Sequence, residues 1–338
     1  MISPRTRRNL KKELRRNGLA KLGIVLFVLV IAVAVFAPFI APNNPRAQHL
    51  GQKLLPPLGF SKVVTSSSTE LVNGSVQTVT ETRKVSATWE YPLGTGPLGR
   101  GMFSRIVYGA RTSVLVGLLG TGVAAVVGVP VGLAAGYYGG KVDDTLMRAA
   151  DIMLAFPSLV LAIALVGLFG RASVQIPDPW VALGLAPGNM PSHFVLPGTV
   201  VLVVGLVNWV WLARVARGEA LSVSESEYVK SARSIGASDL RIIGRHVLPN
   251  AITPILVLAT IQVAAIILLE SSLAYLGFSG TTLSWGFDIN QGQQHLANAW
   301  WVATFPGLAI VVTVIGVNLI GDWLRDALDP GIEGEGGL

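Results

Sequence analysis

Long apolar runs separated by short polar islands constrain this chain more than any other feature. The runs cover residues 22–41, 112–137, 149–169, 194–213, 252–276 and 300–320. About 20 mostly apolar residues suffice for a helix to cross a bilayer. Charged residues make up only 13% of the chain, against about 25% in a typical soluble domain. The sequence therefore predicts an all-α polytopic membrane protein with six transmembrane helices, called spans below.

The distribution of Lys and Arg predicts which loops face the cytoplasm, where such residues collect. Six spans that start inside place 1–21, 139–148, 214–251 and 322–338 in the cytoplasm, so both termini are expected there. Segment 214–251 contains six Lys or Arg residues, whereas the short outer loops contain only Arg171. The basic segment 1–21 is also able to lie on an anionic membrane surface. The first run is longer than the 7–15 residues usual for the core of a cleaved signal peptide.

The region between the first two spans, residues 42–104, is polar and rich in Pro, Gly, Ser and Thr. Residues 63–88 alternate in places, and Asn73-Gly74 within them is a strong hairpin signal. We expect a small strand-bearing extracytoplasmic insert.

The second run carries a small residue at every fourth position: Gly120, Ala124, Gly128, Gly132 and Gly136. On a helix these residues share one face and allow a neighbouring helix to approach closely. We therefore expect this ridge to pack within the bundle. Pro130 lies in the same run and removes one backbone hydrogen bond, which is able to kink the helix.

Several kinds of chemistry are not expected of this chain. It has no Walker A pattern, no H-E-x-x-H pattern and no cysteine, and its four histidines are scattered. We therefore expect no catalytic residues, no metal site and no cofactor bound by the chain itself. The net charge of +7 is explained by cytoplasmic loops next to membrane lipid, so no nucleic-acid partner is expected.

Glu270 is the one acidic residue deep in an apolar run, and Ser271 follows it. Ionisable residues within spans usually face a bundle interior or a water-filled path. One interpretation is that Glu270 and Ser271 line a translocation path or that Glu270 pairs across a subunit contact. The alternative is that Glu270 lies near the outer end of its span and is solvated.

The polar stretch 228–250 stands out because a long apolar run lies on each side of it. A short helix over 227–235 is predicted to end at Gly236, and Ser238 is predicted to cap a second helix. The second helix places Leu240, Ile243 and Val247 at helical spacing, and Pro249 is expected to end it. The arrangement is typical of a docking element; the alternative is an interfacial helix lying on lipid.

The same stretch resembles the EAA loop of permease subunits of binding-protein-dependent ABC importers. Lys230-Ser231-Ala232 stands at the E-A-A positions, followed by Gly236 and Leu248-Pro249. Lys230, Ser231 and His246 depart from the general pattern. The form RHVLPN, with YPLGTGPLGRGMFSRIVYGARTS (91–113), DIMLAFPSLVLAI (151–163), ESSLAYLGF (270–278) and PGLAIVVTVIGVNLIGDWLRDALDP (306–330), resembles the second permease subunit of the dipeptide, oligopeptide and nickel branch. That branch usually has Asp where this chain has Gly96 and Gly101.

The resemblance implies a type I ABC importer (MetI-like) permease fold over residues 105–321, with the coupling loop at 214–251. The implied partners are a second permease subunit, two cytoplasmic ATP-binding subunits that hold ATP and Mg²⁺, and an extracytoplasmic substrate-binding protein. The implied location is a prokaryotic inner or plasma membrane. The residues expected to couple to an ATPase are Lys230, Ser231, Ala232, Gly236, Ala237, Asp239, Leu240, Arg241, Ile243, Arg245, His246, Leu248 and Pro249.

The substrate stays open at this point among dipeptides, oligopeptides, nickel and other solutes. Two other functions also stay open. A secondary transporter would show paired broken helices in two repeats, and no convincing repeat is visible in the sequence. A structural or assembly membrane protein would have no transport path.

Overall fold

The computed structural model describes residues 14, 17–72, 75–280 and 283–328. The helices are α1 (Gly18–Val35), α2 (Ala37–Ile40), α3 (Met102–Tyr138), α4 (Gly140–Ala155), α5 (Ser158–Phe169), α6 (Pro179–Ala182), α7 (Gly198–Ser224), α8 (Glu227–Ser234), α9 (Asp239–Ile242), α10 (Leu248–Tyr275), α11 (Trp285–Gln293) and α12 (Trp301–Leu328). A 3₁₀ turn covers Leu50–Gln52, and a π-helical turn, Ile243–Val247, joins α9 to α10. The strands are β1 (Ser61–Val72), β2 (Ser75–Ser86), β3 (Val174–Pro177) and β4 (His193–Leu196).

The structure confirms a polytopic helical protein. Within the described ranges, five helices are long and apolar enough to cross a membrane, or six if α4 and α5 together form one span. The five are α1, α3, α7, α12 and the continuous helical segment from residue 239 to 275.

The third predicted span was wrong in its form. A span over 149–169 with Pro157 inside it was expected, preceded by a short loop over 139–148. Instead, α4 starts at Gly140, and α4 and α5 meet at an angle of 94°. A proline disfavours helical geometry in the residue before it, and Phe156, before Pro157, is extended with φ −92° and ψ 137°.

The boundaries of the fourth span also differ from the prediction of 194–213. Residues 193–196 form strand β4, and α7 then continues to Ser224. The predicted cytoplasmic segment began at residue 214, but Arg214 and Arg217 both lie inside α7. They pair with Asp151 at 2.6 Å and Asp143 at 2.5 Å on α4. α7 therefore continues as a helix through its charged part and pairs with α4 along it.

The insert contains the expected strands. β1 pairs with β2 in an antiparallel ladder that runs from Ser61 opposite Ser86 to Val72 opposite Ser75. Asn73 and Gly74, the predicted turn, lie outside the described residues. The second pair, β3 with β4, was not predicted. The division of the chain into an insert and a permease domain stays a prediction.

The ridge of small residues packs within the bundle, as expected, and its partner is α7. A methyl group added at any of three ridge glycines would overlap a carbonyl oxygen of α7. The pairs are Gly128 with Trp209, Gly132 with Ala213, and Gly136 with Arg217. Both members of the pairs advance by four residues, so the two backbones stay in contact over about two helical turns. α3 is one continuous helix across Pro130.

We expect Gly132→Ala to lower the free energy of unfolding by about 1–3 kcal/mol, since the added methyl group overpacks a tight contact. The thermal unfolding midpoint of the detergent-solubilised protein measures the effect. Gly122→Ala is the matched control, because a Cβ atom at Gly122 on the same helix meets nothing within 4 Å. Equal midpoints for the two variants would contradict the packing argument.

Candidate functional site

Residues 227–247 form a helix–glycine–helix stretch, named so from here on. Gly236 has φ +80°, a left-handed conformation that glycine adopts without strain. Its N–H donates to the Arg233 carbonyl at 3.0 Å, and the Ala237 N–H donates to the Ala232 carbonyl at 3.1 Å. These two bonds are the Schellman pattern that ends a helix. The predicted glycine stop after α8 is therefore confirmed.

The second half of the stretch differs from the prediction. Ser238 stands at the N-cap position of α9, but its side chain makes no capping hydrogen bond. Pro249 was expected to end the helical loop, and this was wrong. The chain passes through the π-helical turn directly into α10, and Pro249 lies in the first turn of α10. Pro249 has no N–H to donate to the preceding turn, and the regular α-helical hydrogen-bond pattern is already interrupted there by the π-helical turn.

The inner face of the stretch is buried against α7. Val229, Ile242 and Val247 are fully buried and share an apolar cluster with Leu212 and Ala216. The predicted apolar stripe consisted of Leu240, Ile243 and Val247, and it was only partly correct. Ile242 takes the inward position, because the wider π-helical turn changes the angular spacing assumed for a regular helix.

The outer face exposes apolar side chains at the tip of the stretch. Ile235 is 86% exposed and Leu240 is 81% exposed, one on each side of Gly236. Arg241 and Arg245 are exposed beside them. Ile235 was not among the predicted coupling residues. The signal that could have identified it is a large apolar residue directly before a helix-ending glycine in an otherwise polar loop.

The remaining predicted coupling residues fall into two groups. Those exposed to solvent are Lys230, Ser231, Asp239 and Pro249, and those partly buried are Ala232, Ala237, Ile243, His246 and Leu248. Lys230 lies 3.4 Å from Glu227 and 3.5 Å from Glu225. The hydrogen bond to Glu227 is the main reason that the pKa of Lys230 is raised, so this side chain stays charged at neutral pH.

Tyr137, in the last turn of α3, touches both halves of the stretch. Its hydroxyl donates to the Asp239 Oδ1 atom at 2.7 Å. The Arg233 guanidinium carbon lies 5.0 Å from the centre of its ring. A hydrogen bond to Tyr137 is the main reason that the pKa of Arg233 is raised. No sequence pattern pointed to these contacts, because the residues are about 100 positions apart in the chain.

Glu270 is enclosed rather than solvated, so the solvated interpretation was wrong. Its side chain is fully buried, and its Oε2 atom accepts hydrogen bonds from Ser113 at 3.1 Å and Ser271 at 3.3 Å. α11 folds back over the end of α10 and covers this site, with Gly286 directly against the Ser271 backbone. A role in lining a path stays a prediction for Glu270 and Ser271.

Two buried ion pairs at the other end of the bundle were missed by sequence reasoning. On α3, Arg105 pairs with Asp288 of α11, and Arg111 pairs with Asp178 before α6. Arg111 also donates to the Ala34 carbonyl at 2.6 Å. An arginine at the edge of an apolar run usually pairs with a buried acid or a backbone carbonyl, but the sequence does not show which residue is the partner.

Comparison with known proteins agrees with this architecture. The family described as binding-protein-dependent transport system inner membrane component matches residues 128–334. The family described as the N-terminal TM domain of oligopeptide transport permease C matches residues 8–57.

Similar chains include the dipeptide transport system permease protein DppC of Alkalihalophilus pseudofirmus, 34% identical over 94% of this chain and 88% of that protein. The glutathione transport system permease protein GsiD of an Escherichia coli O6:K15:H31 strain is 33% identical over 96% of this chain and 90% of that protein. The MetNI methionine ABC transporter, in an inward-facing conformation, contains a chain of similar fold. Its TM-score is 0.51 at 17% identity, covering 68% of this chain and 98% of that one.

We expect Glu270→Gln to be less destabilising than Glu270→Leu, because the amide oxygen is able to accept the hydrogen bonds from Ser113 and Ser271. Glu270→Leu is the matched variant of similar size that accepts none. It leaves the Ser113 hydroxyl without its acceptor, which costs about 1–3 kcal/mol of unfolding free energy. Thermal unfolding midpoints in detergent measure both variants. A Gln variant as unstable as the Leu variant would contradict the argument that these two accepted hydrogen bonds stabilise the site.

Proposed function

The chain belongs to the family of binding-protein-dependent transport system inner membrane components, and from this membership we propose how it works. With a second permease subunit it forms a path for the uptake of peptides or a related small solute. Two cytoplasmic ATP-binding subunits supply the energy, and an extracytoplasmic binding protein delivers the solute. The named relatives are permease proteins of transport systems, which favours this function over a secondary transporter or a structural protein.

One observation carries the proposed contact with the ATPase subunits: the helix–glycine–helix stretch exposes Ile235 and Leu240 while its inner face is buried. When a partner covers large apolar side chains at an aqueous surface, binding is favoured by roughly 25 cal/mol per Å² of apolar surface removed from water. The buried inner face holds the stretch in place, so covering its tip requires little ordering of the chain. We assign the tip to a cleft on an ATPase subunit.

The orientation follows from charge. The helix–glycine–helix stretch lies at the same end of the bundle as Lys141, Arg214 and Arg217. Basic residues collect on the cytoplasmic side. This end therefore faces the cytoplasm, with both termini, and the β1–β2 hairpin faces outward. The membrane is the inner or plasma membrane of a prokaryotic cell.

The coupling is mechanical in this proposal. ATP and Mg²⁺ are held by the ATPase subunits, and this chain is a transport subunit without an ATPase site of its own. When the ATPase subunits close, they displace the helix–glycine–helix stretch. The stretch passes the displacement to α3 and α7, which pack backbone to backbone. Rigid-body movement of packed helices is a common way to convert a local displacement into a change of access.

The substrate class rests on the relatives. Their names mention dipeptides and glutathione, and glutathione is itself a small peptide. We propose a short peptide as the transported solute.

We expect the double variant Ile235→Glu, Leu240→Glu to abolish copurification of the ATPase subunits with the permease, because two charges would enter an apolar contact. Leu183→Glu, Leu185→Glu is the matched control. These leucines are 70% and 60% exposed near α6, at the opposite end of the bundle. Pull-down of the detergent-solubilised complex is the measurement. Retention of the ATPase subunits by the first variant would reject the docking proposal and favour contact with lipid.

A further inference from the structure

The attachment of Tyr137 to the helix–glycine–helix stretch has a consequence for transport. Between α8 and α9 the backbone turns at Gly236, a residue around which a Cβ atom would meet nothing within 4 Å. Ile235 and Gly236 are exposed, so the two helices are held by their buried inner faces and not by contacts around the turn itself. A connection from one further element to both helices would make the two halves move together with that element.

Tyr137 provides that connection from a third element. Arg233 belongs to the last turn of α8 and Asp239 is the first residue of α9, so the two contacts of Tyr137 lie on opposite sides of Gly236. The Tyr137 side chain is itself buried. A hydrogen bond to a charged group is worth about twice a neutral one, and an arginine over a tyrosine ring adds a cation–π attraction.

α3 extends from Tyr137 to the opposite side of the membrane. It has 37 residues, which corresponds to about 55 Å. Its other end holds Arg105 and Arg111 in buried ion pairs. One helix therefore joins the cytoplasmic tip to the outer loops, and Tyr137 is a residue of α3 that contacts both sides of the turn.

We propose that Tyr137 is a positioning residue that makes the helix–glycine–helix stretch and α3 move as one body during the ATP cycle. This inference rests on the proposed docking to ATPase subunits. Without the Tyr137 hydroxyl, the stretch still docks through Ile235 and Leu240, but its displacement is taken up at Gly236 instead of passing into α3.

The absence of cysteine from the chain makes the test direct. Spin labels on Val126→Cys of α3 and Gly244→Cys of the stretch report the distance between α3 and the stretch. Both sites have room for a label, because Val126 is 76% exposed and a Cβ atom at Gly244 meets nothing within 4 Å. The distance is measured in the complete complex, with its partners free of accessible cysteine, before ATP is added and after trapping with ATP and vanadate.

With Tyr137 intact we expect the same distance distribution in both states. In Tyr137→Phe, which keeps the ring but loses the hydroxyl, we expect the distance to shift on trapping while the ATPase subunits still copurify. Tyr138→Phe is the control, because the neighbouring Tyr138 is 49% exposed and its hydroxyl makes no hydrogen bond within the described part of the chain. Asp239→Leu, which removes the acceptor oxygen, should reproduce the Tyr137→Phe shift.

An unchanged distance in Tyr137→Phe, an equal shift in Tyr138→Phe, or a shift with Tyr137 intact would each overturn the inference. Loss of the ATPase subunits from Tyr137→Phe would also overturn it, since Tyr137 would then be a docking residue. Failure of the docking proposal is seen separately, in the copurification of the Ile235 and Leu240 double variant.

Discussion

The backbone contact between α3 and α7 is the constraint on which the rest of the structure depends. Helices in lipid gain nothing from hiding apolar surface, so close packing of small residues has to hold them together. Gly128, Gly132 and Gly136 allow that packing by bringing α3 directly onto the carbonyl groups of α7. Because α3 extends from one end of the bundle to the other, this contact also fixes where its terminal side chains lie. Tyr137 is thereby placed near the C-terminal end of α7, after which the chain continues as α8.

Polar and apolar groups are distributed in a way that separates structure from docking. The buried charges Arg105 and Arg111 are paired with acids, and removing one member of such a pair typically costs 3–5 kcal/mol. They hold α11 and the segment before α6 to α3. At the other end, Ile235 and Leu240 expose apolar surface to water. Buried arginines paired with acids, together with exposed apolar side chains at the other end, are consistent with a rigid subunit that binds a partner there.

Rigidity at the tip is the physical requirement for an energy-coupled permease. A flexible loop would change shape when a partner displaces it, whereas a helix pair packed on α7 passes the displacement to α7. Val229, Ile242 and Val247 form the buried face that packs on α7. The Schellman hydrogen bonds around Gly236 end the first helix without strain. The π-helical turn then connects the second helix to α10 without a flexible linker. The tip is thus joined to three long helices: α3, α7 and α10.

The sequence alone determined what depends on short-range chemistry. Apolar length gave the spans, the spacing of small residues gave the packing ridge, and Gly236 gave the helix stop, because each follows from residues close together in the chain. Only the tertiary structure decided the rest. It broke the third span at Pro157, enclosed Glu270 beneath α11, and joined Tyr137 to Asp239 and Arg105 to Asp288. Those outcomes depend on which distant elements become neighbours, and a local pattern carries no information about the partner across the contact.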